Sequence, residues 1–387
     1  MVLKIASRSD ISPFIVMDVM RSANAREATG KDVLHLEVGQ PSTPAPKPVI
    51  EAAKLALDNQ LLGYTDALGI TLLRQRLSDY YKAYYNLLIP EDRIVITTGS
   101  SGAFILSFLS VFDQGDKVGI TSPGYPAYKN ILRASGVEVV EIQVNADTAF
   151  QPSTEILSDI KVSLDGLIIA SPSNPTGSML SNASLKAICS WCDAQKVRLI
   201  SDEIYHGITF QRKANSALCY NQDAIIVNSF SKYFSMTGWR LGWMVVPENL
   251  TRPIERLAQN FFISPPTLSQ LAALSIFDCF DELDINVDRY ARNRNILLTE
   301  LPKAGFKKIA PSDGAFYLYA DVSSLTCDSE TFCAKILEKT GVAITPGVDF
   351  DNRYGRNFVR FSYAGATTDI VEASKRLVQS YSNTSHL

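Results

Sequence analysis

Short runs of apolar residues recur through the first 232 positions, and each run ends at a polar turn. With the turns that follow them, the runs are RIVITTGSSGAFILSFLSVF (93–112), DKVGITSPGYPAY (116–128), DGLIIASPSNPTG (165–177), VRLISDEIY (197–205) and DAIIVNSFSK (223–232). Their apolar positions are consecutive, which is typical of strands buried on both faces of a mainly parallel sheet. Amphipathic patterns over 47–60, 70–84 and 183–195 predict connecting helices. We therefore expect an α/β fold.

Polar side chains collect where these predicted strands end. They are Ser100 and Ser101, Tyr125, Asn174, Asp202 with Tyr205, and Ser229 with Lys232. The carboxyl ends of parallel strands meet at one edge of a sheet, where α/β proteins bind their ligands. We therefore expect these residues, although they are far apart in sequence, to lie around one cleft.

The pattern changes at about residue 290. A long polar segment, DINVDRYARNRNILLTELPKA (284–304), predicts a helix, and three strand-like pieces follow at 314–322, 342–350 and 358–364. A chain of 387 residues also exceeds what one core usually fills. We expect a large domain over residues 46–289 and a smaller α+β domain that residues 1–45 and 290–387 form together.

Composition narrows the classes of partner. A hydrophobic content of 46%, a charged content of 20% and a net charge of −3 describe an ordinary globular protein. They give no support to a nucleic-acid partner. The N-terminal segment lacks the unbroken apolar core of a signal peptide, and the most apolar run, FILSFLSVF (104–112), is too short to span a bilayer. We expect a cytoplasmic protein without a membrane partner.

Two of the six cysteines, Cys189 and Cys192, form a CxxC pair. The pair lies inside the helical pattern NASLKAICSWCDAQK (182–196), and neither a second pair at zinc-ribbon spacing nor a proline-flanked redox turn accompanies it. We therefore predict that both thiols pack within a helix and that the chain has no metal site.

The segment TTGSSGAF (97–104) is a candidate anion site. Gly99 permits a tight turn, and a helix is predicted to begin at about Ser101. Free backbone amides at such a helix start attract anions. Arg240 and Ser229 flank Lys232 and could add donors to a phosphate. Each feature also has an ordinary alternative, either a capped helix or a solvated surface arginine.

Lys232 is the candidate nucleophile in NSFSKYFSMTGWRLGW (228–243). A lysine amine becomes reactive when burial and nearby cations lower its pKa, although most lysines are solvated surface charges. An anion site, an amine and a strand-end acid are what pyridoxal 5′-phosphate requires. Asp202 could keep the pyridine nitrogen protonated, and Tyr125 could stack on the ring. Tyr205 and Asn174 could hydrogen-bond the phenolic oxygen of the ring.

These motifs together give the chain a family resemblance. It resembles the class I/II aminotransferases of fold type I, the aspartate aminotransferase superfamily, over essentially its whole length. The motifs are VGQP (38–41), LGYTDALG (62–69), TTGSSGAF (97–104), SPGYPAY (122–128), SPSNPTG (171–177), SDEIYHGI (201–208), SFSKYFSMTGWRLGW (229–243), GAFYLY (314–319), TPGVDFD (345–351) and VRFSYA (359–364). The resemblance implies a mainly parallel seven-stranded sheet between helices, plus the smaller α+β domain.

The resemblance also implies residue roles. Lys232 would be the Schiff-base lysine and proton shuttle of a ping-pong transfer between an L-amino acid and a 2-oxo acid. Asp202 would pair with the pyridinium, Asn174 and Tyr205 would bind the phenolic oxygen, and Tyr125 would stack. The phosphate would be held by Ser100, Ser101, Gly102, Ser229, Ser231 and Arg240, and by Tyr64 of a neighbouring subunit in a homodimer. Arg360, with Asn174 and the backbone of Gly39, would bind the substrate carboxylate.

One departure and several alternatives remain. Some members that use acidic substrates carry a lysine where this chain has Ser101, so a strict preference for acidic substrates is weakened. C–S lyases and aminocyclopropane-carboxylate synthases share the same residues, so the resemblance leaves them open. An aminotransferase-like sensor domain would need an N-terminal extension, and a nicotinamide dehydrogenase would need a glycine fingerprint. His206 is predicted to be structural, and the segments 7–16 and 264–270 are predicted to line the substrate pocket.

Overall fold

The computed structural model describes residues 3–381. The strands are β1 (Leu34–His35), β2 (Ile94–Thr97), β3 (Lys117–Ser122), β4 (Glu138–Gln143), β5 (Gly166–Ala170), β6 (Arg198–Asp202), β7 (Ile225–Ser229), β8 (Gly242–Val245), β9 (Lys308–Ile309), β10 (Tyr317–Asp321), β11 (Val342–Ala343), β12 (Thr345–Pro346) and β13 (Phe358–Ser362). The α-helices are α1 (Ile15–Ala28), α2 (Lys47–Asn59), α3 (Thr71–Tyr85), α4 (Gly99–Val111), α5 (Pro126–Ala134), α6 (Thr154–Ser158), α7 (Asn182–Gln195), α8 (Glu248–Phe261), α9 (Thr267–Ala273), α10 (Phe280–Glu300), α11 (Ser329–Thr340) and α12 (Thr367–Tyr381).

A seven-stranded sheet forms the centre, in the order β2-β8-β7-β6-β5-β3-β4. Every neighbouring pair from β7 to β4 is parallel, and β8 is antiparallel to both of its neighbours. Successive side chains of a strand point to opposite faces, and all five residues of β7 are buried. Both faces of the sheet are therefore covered, which explains the consecutive apolar positions. The predicted α/β fold with a mainly parallel seven-stranded sheet is confirmed.

Two strand predictions were too long. The predicted strand 197–205 ends at Asp202, because the Asp202 side chain accepts a hydrogen bond from the backbone N–H of Ile204 and turns the chain. The predicted strand 342–350 is divided into β11, β12 and a 3-10 turn over Gly347–Asp349. In the second case, close backbone approach between Gly347 and Gly355 turns the chain out of the sheet.

A second, four-stranded antiparallel sheet has the order β12-β13-β10-β9, and β1 pairs with β11 in a separate parallel pair. The pairing of β1 with β11 brings the N-terminal and C-terminal parts of the chain together. Helix α10 spans the predicted domain boundary at 289/290, because its buried Leu283, Tyr290 and Leu297 form one continuous stripe. The proposed division, whose outermost residues lie outside the described range, stays a prediction.

Cys189 and Cys192 are buried on α7 in the main core, as the helical pattern predicts. No helix within residues 3–381 has both the length and the apolar character needed to cross a bilayer.

Candidate active site

The carboxyl ends of the central strands surround a cleft of about 210 Å³. Most of the predicted site residues line it: Gly39, Ser100, Ser101, Tyr125, Asn174, Asp202, Tyr205, Ser231, Lys232, Arg240 and Arg360. Gly102 and Ser229 lie behind this lining and are buried. Tyr64 is the outlier, because its side chain is 82% exposed and does not line the cleft.

Lys232 follows the end of β7, and its Nζ donates a 2.7 Å hydrogen bond to the carbonyl oxygen of Gly39. Burial lowers the pKa of this amine to about 8, and the nearby charges of Arg360 and Arg240 lower it further, while Asp202 opposes them. A charged amine is disfavoured by desolvation and by neighbouring cations. A substantial neutral fraction is therefore present near neutral pH, which contradicts the alternative of a solvated surface lysine.

Asp202 lies at the end of β6 and is also buried. Its Oδ1 accepts the 3.1 Å bond from Ile204, and its Oδ2 accepts a hydrogen bond from the hydroxyl of Tyr128. Burial raises the pKa of the Asp202 carboxyl to about 6, although both hydrogen bonds and the Lys232 charge lower it. The carboxylate is thus available to a cationic group at neutral pH.

Tyr128 was missed by the sequence reasoning. It stands three residues after Tyr125 near the start of α5, and residues at that spacing share one face of a helix. The rings of Tyr125 and Tyr128 lie 5.3 Å apart in an edge-on arrangement. Helical spacing from a candidate ring-stacking residue was the available signal, but the distant partner Asp202 could not be read from it.

The candidate anion site is the start of α4. The helix begins at Gly99, two positions before the predicted start, and no side chain caps it. Gly99 has a φ of +71°, and a Cβ there would lie 2.5 Å from Nη2 of Arg240. The guanidinium therefore lies against the helix start, where backbone amides and a cation together attract an anion.

Two serines of the lysine loop have different surroundings. The Ser229 hydroxyl donates to Oγ of Ser231 at 2.9 Å, and its oxygen accepts from the Ser231 N–H at 3.1 Å. Ser229 therefore shapes the loop from below, while Ser231 reaches the lining of the cleft.

Arg360 lies on β13, which has β10 and β12 as its two neighbours. The alternative of an edge-strand charge is therefore wrong. The side chain is 2% exposed, and its guanidinium lies 4.4 Å from the ring centre of Tyr317 and 4.7 Å from that of Phe350. Two aromatic faces hold the cation in place.

Hydrogen bonds complete the orientation of Arg360. Nη1 donates to Oδ1 of Asn174 at 2.8 Å, and Nη2 donates to the carbonyl oxygen of Glu37 and to Oγ1 of Thr345. Within the described residues, Nε has no partner. Glu37, Thr345, Tyr317 and Phe350 were not predicted, because each meets Arg360 only through tertiary packing.

Tyr317 joins the two predicted binding regions. Its hydroxyl shares a 2.7 Å hydrogen bond with the hydroxyl of Tyr205. A Cβ at position 39 would collide with this same hydroxyl, so only glycine fits there. Gly39 is therefore required by the close approach of the tyrosine, and its carbonyl oxygen is left beside Lys232.

His206 has the structural role that the sequence predicts. Its Nε2 lies 2.9 Å from the carbonyl oxygen of Ser171 and its Nδ1 lies 2.7 Å from the hydroxyl of Tyr85. A carbonyl oxygen can only accept, so Nε2 carries the proton. Burial lowers the pKa of His206 to about 4, and the ring is neutral at pH 7.

Three cations, Lys232, Arg240 and Arg360, line the cleft among the described residues, against the single carboxylate of Asp202. Arg240 lies at the start of α4, and Arg360 lies on the second sheet. The cleft can therefore hold a ligand pair with two separate anionic groups, with an amine and a carboxylate between them.

The geometry has clear counterparts among known proteins. A family model described as aminotransferase class I and II matches residues 31–377. The valine–pyruvate aminotransferase of Mycobacterium tuberculosis is 50% identical over 378 residues, covering 97% of each chain. The (5-formylfuran-3-yl)methyl phosphate transaminase of Methanocaldococcus jannaschii is 36% identical over 369 residues, covering 94% of this chain and 95% of the relative. The crystal structure of an aminotransferase from Mycobacterium tuberculosis has a TM-score of 0.97 at 49% identity, covering 98% of this chain and 99% of that chain.

These likenesses extend over nearly the whole chain and include both sheets. The relatives are named as aminotransferases or transaminases, which favours amino-group transfer over the lyase, sensor and dehydrogenase alternatives. The chain belongs to the class I and II aminotransferases, and it is an aminotransferase of fold type I.

Proposed function

We propose that this aminotransferase uses pyridoxal 5′-phosphate to move the amino group of a neutral aliphatic L-amino acid to pyruvate or a similar 2-oxo acid. The observation that carries the proposal is the buried Lys232 amine, which shares one cleft with the anion site at α4 and the Asp202 carboxylate. The 50% identical relative named as a valine–pyruvate aminotransferase supports the choice of substrates.

The donor set of the cleft fits pyridoxal phosphate. The amides that begin α4, with Arg240 beside them, suit its phosphate, and Ser100, Ser101, Gly102, Ser229 and Ser231 complete or support that region. Asp202 suits the pyridine nitrogen, and Tyr125 suits the ring face. Tyr205 and Asn174 suit the phenolic oxygen. When bound, the cofactor supplies an electron sink for the charge that develops at the substrate Cα.

The protein's own groups move and hold the protons. Nζ of Lys232 first binds the cofactor aldehyde and then, once released by substrate, takes the proton from the substrate Cα and returns it on the other side of the transfer. Asp202 stays ionised and keeps a proton on the pyridine nitrogen. Its hydrogen bonds from Tyr128 and Ile204 favour this charged form.

Arg360 binds the α-carboxylate that the amino acid and the oxo acid have in common. Its unpartnered Nε is available for this contact, and Asn174 and the backbone of Gly39 lie in the same lining. The two rings and the Glu37 carbonyl oxygen orient the guanidinium before substrate arrives. Such preorganisation reduces the ordering cost of binding.

The lining favours a neutral substrate side chain. Each of the three cations already has a role, and Ser101 stands where some users of acidic substrates carry a lysine. Phe14, Val16, Met17 and Val38 contribute apolar surface to the same lining. A substrate carboxylate placed against that surface would be desolvated without a partner, which is costly.

We also propose a cytoplasmic homodimer in which Tyr64 reaches the phosphate of the neighbouring subunit. Tyr64 is 82% exposed and Leu61 is 97% exposed in one short segment of the protomer. Such exposed apolar side chains mark interaction surfaces. The six unpaired cysteines fit a reducing compartment.

Substrate preference is tested by a panel of amino donors at saturating pyruvate and 2-oxoglutarate. We expect kcat/KM for valine to exceed that for aspartate by at least about tenfold, since an unpaired carboxylate in the apolar part of the cleft costs roughly 1.4 kcal/mol or more. Formation of both the new amino acid and the new oxo acid is measured. Equal or better use of aspartate would contradict the substrate proposal, and release of ammonia without consumption of oxo acid would contradict amino transfer.

Cofactor capture should depend on pH through Lys232. Only the neutral amine attacks an aldehyde, and its pKa is lowered to about 8. The rate of covalent attachment to cofactor-free protein should therefore rise about tenfold per pH unit below pH 8 and level off above it. Borohydride trapping followed by mass spectrometry measures this rate.

A second protein tests the cause of this pH dependence. Arg360→Met removes a cation that lowers the pKa of Lys232, so the midpoint should move to higher pH. A wild-type midpoint near the ordinary value of 10.5 would show that burial does not act on this amine as described.

A further inference from the structure

Helix α1 is capped from a distant part of the chain. The residue before it, Phe14, provides no side-chain hydrogen bond to the helix start. Instead, the backbone N–H of Ile15 donates to Oδ1 of Asp349 at 2.9 Å, and that of Val16 donates to Oδ2 at 3.3 Å. The Asp349 carboxylate thus satisfies two of the free amides that every helix start presents, and its charge is favourable at that end of the helix.

The capped end of α1 is part of the candidate active site. Phe14, Val16 and Met17 all line the cleft. The ring of Phe14 packs edge-on against the ring of Tyr125, with centroids 5.8 Å apart. The position of the helix start therefore sets where this apolar wall stands relative to a substrate side chain.

Asp349 is itself held rigidly beside the residue that binds the substrate carboxylate. It is 7% exposed and ends the 3-10 turn Gly347–Asp349. The next residue, Phe350, packs its ring against the guanidinium of Arg360, and its carbonyl oxygen accepts a 3.1 Å bond from the N–H of Gly124. One dipeptide, Asp349–Phe350, therefore contacts the helix start, the substrate arginine and the loop before Tyr125.

We propose that Asp349 is a positioning residue for substrate selection, which holds the Phe14–Met17 wall at a set distance from Arg360. This inference rests on the proposed function, in which Arg360 binds the α-carboxylate and the wall contacts the side chain. A long side chain then depends on the cap, whereas a methyl side chain does not reach the wall. Asp349 touches neither substrate nor cofactor and acts through α1.

The test compares two amino donors in the same protein. In the proposed reaction valine and alanine are the two amino acids, and they differ only in the size of the side chain. We expect Asp349→Ala to raise KM for valine roughly tenfold, which is the range expected for loss of a helix cap. We expect KM for alanine and both kcat values to change less than about twofold.

Two further variants make the test specific. Asp349→Asn keeps one acceptor oxygen for Ile15, so its KM for valine should lie between those of wild type and Asp349→Ala. Asp351→Ala is the matched control, because Asp351 is equally buried but accepts only from Arg353 and Tyr354 in its own loop. It should lower the thermal midpoint without changing the ratio of the valine and alanine KM values.

The outcomes separate this inference from the proposed function. If wild type transaminates neither amino acid, the proposed function fails first. If wild type is active but Asp349→Ala raises both KM values equally, or if Asp351→Ala shifts the ratio as much, the positioning role is overturned. Should Asp349→Ala fail to fold, the valine-to-alanine KM ratio of Asp349→Asn decides, and an unchanged ratio contradicts the role.

Discussion

Replacing Lys232 with alanine is expected to reduce kcat for amino transfer by at least about 10³-fold. The change removes both the amine that binds the cofactor aldehyde and the group that moves the Cα proton, and proton transfer alone contributes roughly 10²- to 10⁴-fold. Among the described residues, no other lysine lines the cleft and could replace it. Single-turnover absorbance of the cofactor-loaded variant with each amino donor measures the loss.

Lys129→Ala is the matched control for this experiment. Lys129 is also buried, but its Nζ lies 3.5 Å from Oε1 of Glu141, and it does not line the cleft. Its kcat should remain within about threefold of wild type. If the Lys232→Ala enzyme kept more than about a tenth of wild-type kcat, the proposed roles of the amine would be wrong.

The second large effect is expected from Arg360→Ala. Hydrogen bonds to charged groups contribute about 1.5–3 kcal/mol each, so losing two of them should lower kcat/KM by about 10²- to 10³-fold. The amino acid and the oxo acid have the same α-carboxylate, so both half-reactions should be impaired to a similar degree. Each half-reaction is measured separately from the concentration dependence of its single-turnover rate.

Arg360→Lys tests the geometry of that contact. A lysine keeps the positive charge but loses the planar fork that contacts Asn174 and the Glu37 carbonyl oxygen. We expect its kcat/KM to recover only part of the loss. An effect confined to one half-reaction would show that Arg360 reads something other than the shared carboxylate.

Much of the fold was predictable because its strands are buried on both faces. Consecutive apolar residues in β5 and β7 have no other stable location in a protein of this composition. The lengths were less predictable, because strands end where side chains turn the chain, as Asp202 does at Ile204. The boundary near residue 290 failed as a visible break because the buried stripe of α10 continues through it.

The sequence by itself determined the family, the central sheet and the residues that approach one cleft, since strand ends carry their ligand residues with them. Only the tertiary structure decided that Tyr128 bonds Asp202, that two rings enclose Arg360 and that Asp349 caps α1. Ile15 and Asp349 are 334 positions apart. Local patterns determine which element forms, but contacts between distant segments depend on how the packed elements exclude water and satisfy their buried polar groups.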